Sequence, residues 1–294
     1  MKSHHDSILL RSVLYVPGSN PKALAKAPKL GADALILDLE DSVAPETKIQ
    51  ARQHVLETLQ QTVSGDPCWR VVRINGIQTD LWQEDLNAIL PGRPDAVAIS
   101  KTESPDDLRG PAEQLDQLEQ ELGVACSLWA MIESPLGVIN SLAIASHPRV
   151  SCLVMGTSDL TRAMNLPLHP DRIGLRFALQ QTILAAKAAG VGILDGVFLD
   201  LQDADGFIAE CQAGVLLGFD GKTIIHPRQI DPPNQIFLPS LPDVEQARRI
   251  LDAWQAARDQ GEEICVVQGR LVERLHAHQA AQLLARWEMA KKRT

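Results

Sequence analysis

The chain has 294 residues, 45% of them apolar, which is enough for one large α/β domain or two small ones. Lys plus Arg total 28 against 37 Asp plus Glu; the net charge of -9 argues against general nucleic-acid or anionic-membrane binding, while leaving room for a local basic site for a small anion. Cys68, Cys126, Cys152, Cys211 and Cys265 are scattered and form no C-x-x-C pair, as expected of reduced thiols in a cytoplasmic protein, and no apolar run approaches the roughly 20 residues that a membrane span needs.

Ile8–Val16 is interrupted by Arg11 and lacks a signal-peptide cleavage pattern; His4 and His5 before it are given no role. From there, short apolar runs alternate with amphipathic stretches. Eight strands are predicted: Ser12–Val16, Ala34–Leu39, Arg70–Asn75, Ala96–Lys101, Leu128–Glu133, Cys152–Gly156, Val191–Gly196 and Thr223–His226. Helical patterns lie between them at Thr47–Thr62, Leu81–Leu90, Asp106–Leu122, Pro135–Ala145, Leu175–Ala189 and Ala204–Leu217. Strands alternating with helices imply a parallel sheet, and runs without polar alternation suit strands buried on both faces. Eight units favour a closed (β/α)8 TIM barrel over residues 1–230. An open doubly wound sheet is the competing fold, but the first strand has no G-x-G-x-x-G turn. The segment GFDGKT is only half a P-loop, because Leu216 stands where the first glycine is needed. Asp231-Pro232-Pro233 reads as a break, followed by a helix at about 243–260, a strand-like piece at Ile264–Val267, Gly269-Arg270, and a last helix near 275–289. Residues 231–294 are therefore expected to form a C-terminal helical extension, a lid or an oligomer-forming arm.

In such a barrel the active site lies at the C-terminal ends of the strands. Those ends carry Pro17-Gly18, Asp38, Glu40, Asp41, Arg73, Asn75, Lys101, Glu133, Asp159, Asp195 and His226, a polar rim too dense for ordinary punctuation. Glu133 and Asp159 close consecutive units and suit a hard cation such as Mg2+, although both also sit where carboxylates cap helices. Arg73 can grip a carboxylate with two parallel hydrogen bonds, or pair structurally with the Asp38–Asp41 cluster. Lys22, Lys26 and Lys29 follow the first strand at helical spacing, either as a solvated face or as an attractor of phosphates. A lone histidine at position 226 is more often structural.

The segments RSVLYVPG (11–18), LDLEDSV (37–43), VRIN (72–75), MIESP (131–135), GTSDL (156–160), ILDGV (193–197) and GFDGKTIIHP (218–227) resemble, in their family order, the citrate lyase β-subunit-like group of the HpcH/HpaI aldolase superfamily, which also includes malyl-CoA and citramalyl-CoA lyases. The resemblance implies a barrel that holds Mg2+, with Mn2+ as an alternative ion, through Glu133 and Asp159, and a 2-oxo acid contacted by Arg73. It also implies that Tyr15, Lys22, Lys26 and His226 help line the thioester or CoA channel. In several relatives an acid in a C-terminal G-K-M-I-D motif completes a neighbouring subunit's site. This chain reads GRLVE at 269–273, so Glu273 replaces the expected Asp with a side chain one methylene longer.

The expected reaction is cleavage or formation of a 3-hydroxyacyl thioester such as malyl-CoA, citramalyl-CoA or a citryl thioester, linking acetyl-CoA and a 2-oxo acid. Arg73 neutralises the acid's carboxylate. The Asp38–Asp41 cluster, with Asp41 as its catalytic member, serves removal of the hydroxyl proton, and Glu273 protonates the enolate carbon. A homo-oligomer, trimeric or a multiple of it, is expected. The alternatives are a citryl-carrier-protein lyase subunit, a CoA-independent oxo-acid aldolase, and a non-catalytic ligand-binding subunit.

Overall fold

The computed structural model describes residues 9–61, 68–167 and 169–291. His4, His5 and the Thr62 end of the expected helix from Thr47 lie outside the described residues. Eight parallel strands close into a barrel in sequential order: β1 (Ser12–Pro17), β2 (Ala34–Asp38), β3 (Trp69–Ile74), β4 (Ala96–Ile99), β5 (Ser127–Ile132), β6 (Val150–Met155), β7 (Gly192–Asp195) and β8 (Gly221–Ile224). β8 closes the ring on β1 through the register Ser12↔Lys222 to Leu14↔Ile224. Both faces of the strands are covered, which is why they read as unbroken apolar runs.

The two-residue period of a strand sorts the side chains. Val13 on β1, Ala34 and Ile36 on β2, Val71 on β3, Ala96 and Ala98 on β4, Trp129 and Met131 on β5 and Val154 on β6 form one buried cluster, with Tyr15 and Trp69 against it. Intervening residues such as Leu35, Leu37, Val72 and Leu128 belong to the larger cluster beneath the helices. Extending the inner set by two residues brings Asp38, Arg73 and Glu133 to the barrel mouth. The lower end is tied by Arg11, whose backbone N–H, Nε and Nη2 all donate to the Asp33 carboxylate at 2.8–2.9 Å.

Four local expectations are corrected. The last barrel strand is Gly221–Ile224, not Thr223–His226: the Ile225 N–H donates to Gln229 Oε1 at 3.0 Å, and His226 Nδ1 caps the next turn by accepting from the Arg228 N–H. The pattern over 135–145 divides into helices Pro135–Ile139 and Ser141–Ala145, separated at Asn140, whose side chain donates to the Glu103 carbonyl at 2.7 Å. Asp231-Pro232-Pro233 opens a short helix, Asp231–Ile236, because proline is tolerated in a first helical turn. Asn234 in that helix accepts from Arg11 and Ser12, tying it to the bottom of the barrel. The tail carries a second strand, β10 (Arg270–Glu273), paired antiparallel with β9 (Ile264–Val267). Gln268 and Gly269 turn between them at φ 51° and 77°, the two positive values that a type I′ hairpin requires. This hairpin packs with the helices Leu241–Asp259 and Arg274–Lys291.

Candidate active site

A cleft of about 370 Å³ opens at the C-terminal ends of the strands. Tyr15, Asp38, Asp41, Arg73, Glu133 and Asp159 line it, together with apolar atoms of Met131, Met155, Val197 and Ile225. Six of the expected site residues or their immediate partners therefore share one cavity.

Arg73 is the central cation. Its Nε and Nη2 donate to the two Asp38 oxygens, both at 2.7 Å, so the fork expected for a substrate carboxylate is closed on Asp38 in this conformation. Nη1 lies 2.9 Å from Glu40 Oε2 and 3.6 Å from Asp41. The Glu40 oxygen is buried and makes this ionic contact without a well-directed hydrogen bond. The guanidinium also stacks over Tyr15 at 5.1 Å from the ring centre. Burial raises the Tyr15 phenol well above its usual range, so the ring stays neutral in the floor of the cleft. Burial would raise Asp38 as well, but the Arg73 hydrogen bonds and charge outweigh it and hold the carboxyl below its ordinary value.

Glu133 is 5% exposed, and its Oε2 accepts the Lys101 backbone N–H at 2.9 Å. Burial, reinforced by the Glu40 charge, pushes its carboxyl up to about 7. Asp159, on the first turn of helix Thr157–Ala163, pairs with Arg162 at its outer edge. Gly156 lets the two acids share the space: a β-carbon there would stand 2.3 Å from Glu133 Cγ and 2.5 Å from its Oε1. Among the described residues no three His, Cys, Asp or Glu side chains come together as a metal cage. The donor set nevertheless fits a hard divalent cation, because a buried carboxylate resisting ionisation beside a second carboxylate is relieved by positive charge. Such ions commonly take one or two carboxylates and complete their shell with water and substrate oxygens.

The other expected site residues lie apart from this cavity. Lys22 and Lys26 are exposed on helix Pro21–Lys26, and neither they nor His226 line the cleft. Glu273 is exposed on β10, and among the described residues none that lines the cleft lies beyond Ile225. Asp195 ends β7 but faces outward into a buried network: Lys222 Nζ lies 3.1 Å from it and 2.6 Å from Glu210, while Arg172 bridges the same two acids. Sequence reasoning missed the support beneath Glu40. The buried Lys48 ammonium donates to the carbonyls of Leu39 and Glu40 and to Asn75 Oδ1 at 2.6–2.8 Å. Its sequence signal is a lysine at the start of a helix that follows an acidic strand end.

The family model for HpcH/HpaI aldolase/citrate lyase matches residues 11–227. A (3S)-malyl-CoA thioesterase of Cereibacter sphaeroides is 42% identical over 97% of this chain and 96% of its own length. The citrate lyase subunit beta of Escherichia coli is 33% identical over 95% and 94%. Among solved structures, protein CitE from Mycobacterium tuberculosis in complex with magnesium, acetoacetate and coenzyme A superposes with a TM-score of 0.74 at 28% identity, covering 96% of this chain and 99% of that one. A second structure of that lyase subunit, with oxaloacetate and magnesium, gives 0.66 at 29% identity over 80% and 99%. The ordered motifs, the closed barrel and these matches place the chain in the HpcH/HpaI aldolase/citrate lyase family.

Proposed function

We propose that this chain is a Mg2+-dependent carbon–carbon lyase, with Mn2+ as a substitute, that cleaves or forms a 3-hydroxyacyl thioester of the malyl-CoA, citramalyl-CoA or citryl type. The observation that carries this reading is the buried Glu133 carboxylate beside Asp159, at a mouth that also holds Arg73 and Asp38. The magnesium, oxo-acid and coenzyme A ligands of the mycobacterial relatives support the same assignment. When bound, the cation supplies Lewis-acid stabilisation to the carbonyl oxygen that develops on the acid fragment. Arg73 holds that fragment's carboxylate through the Nη hydrogens that Asp38 leaves free, so the contact is narrower than a full bidentate grip. Asp38 fixes the guanidinium plane, and Tyr15 supports it from below.

Cleavage removes the hydroxyl proton and breaks the carbon–carbon bond. The electron pair moves onto the thioester fragment as an enolate, which is then protonated at carbon. Asp41, 3.6 Å from Arg73 and exposed in the cleft, is the proposed acceptor of the hydroxyl proton. Glu273 is the candidate donor to carbon. Because no described residue of its own tail lines the cleft, it would reach the site of a second copy of the chain. Lys22 and Lys26 are the proposed contacts for the phosphates of the thioester carrier, with His226 and Tyr15 along its path.

A second reading is hydrolysis of the same thioester, favoured by the (3S)-malyl-CoA thioesterase relatives, which are more similar in sequence than the citrate lyase subunits. One experiment separates the readings. Purified protein with Mg2+ is offered malyl-CoA, citramalyl-CoA and citryl-CoA while 2-oxo acid and free thiol are followed together. Oxo acid without free thiol is lyase activity, and free thiol without oxo acid is hydrolysis. Turnover that survives metal removal, verified by elemental analysis, sinks the metal-dependent mechanism for either reaction.

A further inference from the structure

Lys101 follows β4 in the left-handed conformation, at φ 52°, a region that side-chain-bearing residues occupy only when their surroundings enforce it. In this turn the Lys101 N–H donates to Glu133 Oε2, 2.9 Å away. The same residue's ammonium reaches the other buried acid, with Nζ 3.3 Å from Glu40 Oε1. Glu40's second oxygen faces Arg73 Nη1 at 2.9 Å. One residue thus touches the acid after β2 with its side chain and the acid after β5 with its backbone. The Glu40 side chain is 8% exposed and that of Lys101 47%, so the ammonium can be removed without opening a cavity in the core. Without it, the Glu40 carboxylate is left, among the described residues, with the Arg73 contact that lacks hydrogen-bond direction.

We propose that Lys101 is a positioning residue for the acidic site: its backbone N–H sets the orientation of Glu133 toward a cation, and its ammonium holds Glu40 against Arg73. This rests on the reading of Glu133 as a cation ligand. Neither role requires Lys101 to touch substrate.

Two substitutions separate the roles. Lys101→Gly accepts the left-handed backbone and keeps the N–H on Glu133, but loses the ammonium. Lys101→Val disfavours that backbone through its branched β-carbon and loses both contacts. Mn2+ binding to the resting, substrate-free protein is measured by electron paramagnetic resonance, alongside steady-state kinetics. Lys101→Gly should bind Mn2+ within about threefold of wild type, while kcat falls about tenfold and the thioester KM moves less than about threefold. Lys101→Arg should recover much of that kcat, which a merely structural loss would not predict. Lys101→Val should in addition weaken Mn2+ by about tenfold or more, because ligand placement tolerates only small errors. If Lys101→Val does not fold, Lys101→Ala takes its place as the milder strain. Wild-type kcat in Lys101→Gly overturns the ammonium role, and unchanged Mn2+ affinity in a folded Lys101→Val or Lys101→Ala overturns the backbone role. Wild-type protein that binds no Mn2+ overturns the cation site itself, and the proposal with it.

Discussion

Gly156→Ala isolates the packing requirement of the two-carboxylate site. The backbone at Gly156, φ −93° and ψ 72°, is open to alanine, so the substitution acts through volume alone. Its N–H is bonded to the Ile132 carbonyl at 2.9 Å, which prevents the chain from backing away. The new methyl would lie 2.3 Å from Glu133 Cγ. Carbon atoms in ordinary contact are about 3.5–4.0 Å apart, so Glu133 must move by more than about 1 Å. A displacement of that size exceeds the roughly 0.2 Å tolerance of metal–ligand distances. Mn2+ affinity should fall at least about tenfold, or about 1.4 kcal/mol, while overpacking lowers stability by about 1–3 kcal/mol. Titration of the substrate-free protein with Mn2+, paired with chemical denaturation, reads the two effects separately. A folded Gly156→Ala protein that binds Mn2+ like the wild type would refute the close approach of residue 156 to Glu133, or the role of Glu133 as a ligand.

Three further outcomes are expected. Asp38→Asn should cost stability at neutral pH by roughly 1.5–3 kcal/mol, because the buried Arg73 loses the carboxylate that its two charge-assisted hydrogen bonds grip and keeps the ionic contacts with Glu40 and Asp41. Since Asp38 titrates below its ordinary value when folded, the stability it contributes is present above about pH 4 and is lost as pH falls through its folded value; denaturation curves of Asp38→Asn should therefore depend less on pH in that acid range. Replacing Lys22 and Lys26 together with Gln should raise KM for a CoA thioester and flatten its salt dependence, leaving free 2-oxo-acid affinity nearly unchanged; equal loss for both ligands contradicts a phosphate role. Glu273→Gln should reduce turnover by about 10²-fold with metal binding intact, and mixing it with inactive Asp159→Asn subunits should restore part of the activity. Mixed oligomers verified by mass that show no recovery would exclude an acid shared between copies.

Much of the fold was legible because a buried parallel strand has a compositional signature. ALILD at 34–38 and SLWAMI at 127–132 are apolar on both faces, and their repetition between helical patterns leaves few architectures. The sequence also located the acids and Arg73 by their place at strand ends. Period-two alternation then separates Asp38, which faces the barrel interior, from Asp195, which faces the helices and meets Lys222. Deciding that difference requires knowing which alternate residues face inward, and a strand buried on both sides does not disclose it through hydrophobicity. The boundaries that failed, at Ile225, Asn140 and Asp231, are settled by single side-chain-to-backbone bonds or by the tolerance of proline in a first turn. Closure of Arg73 on Asp38, the Lys48 ammonium beneath Glu40 and the left-handed turn of Lys101 onto Glu133 join residues 8 to 35 positions apart. Such contacts have no periodic trace in the chain. They arise only when eight strands are brought into register around one mouth, because side-chain charges at that spacing are otherwise separated by water.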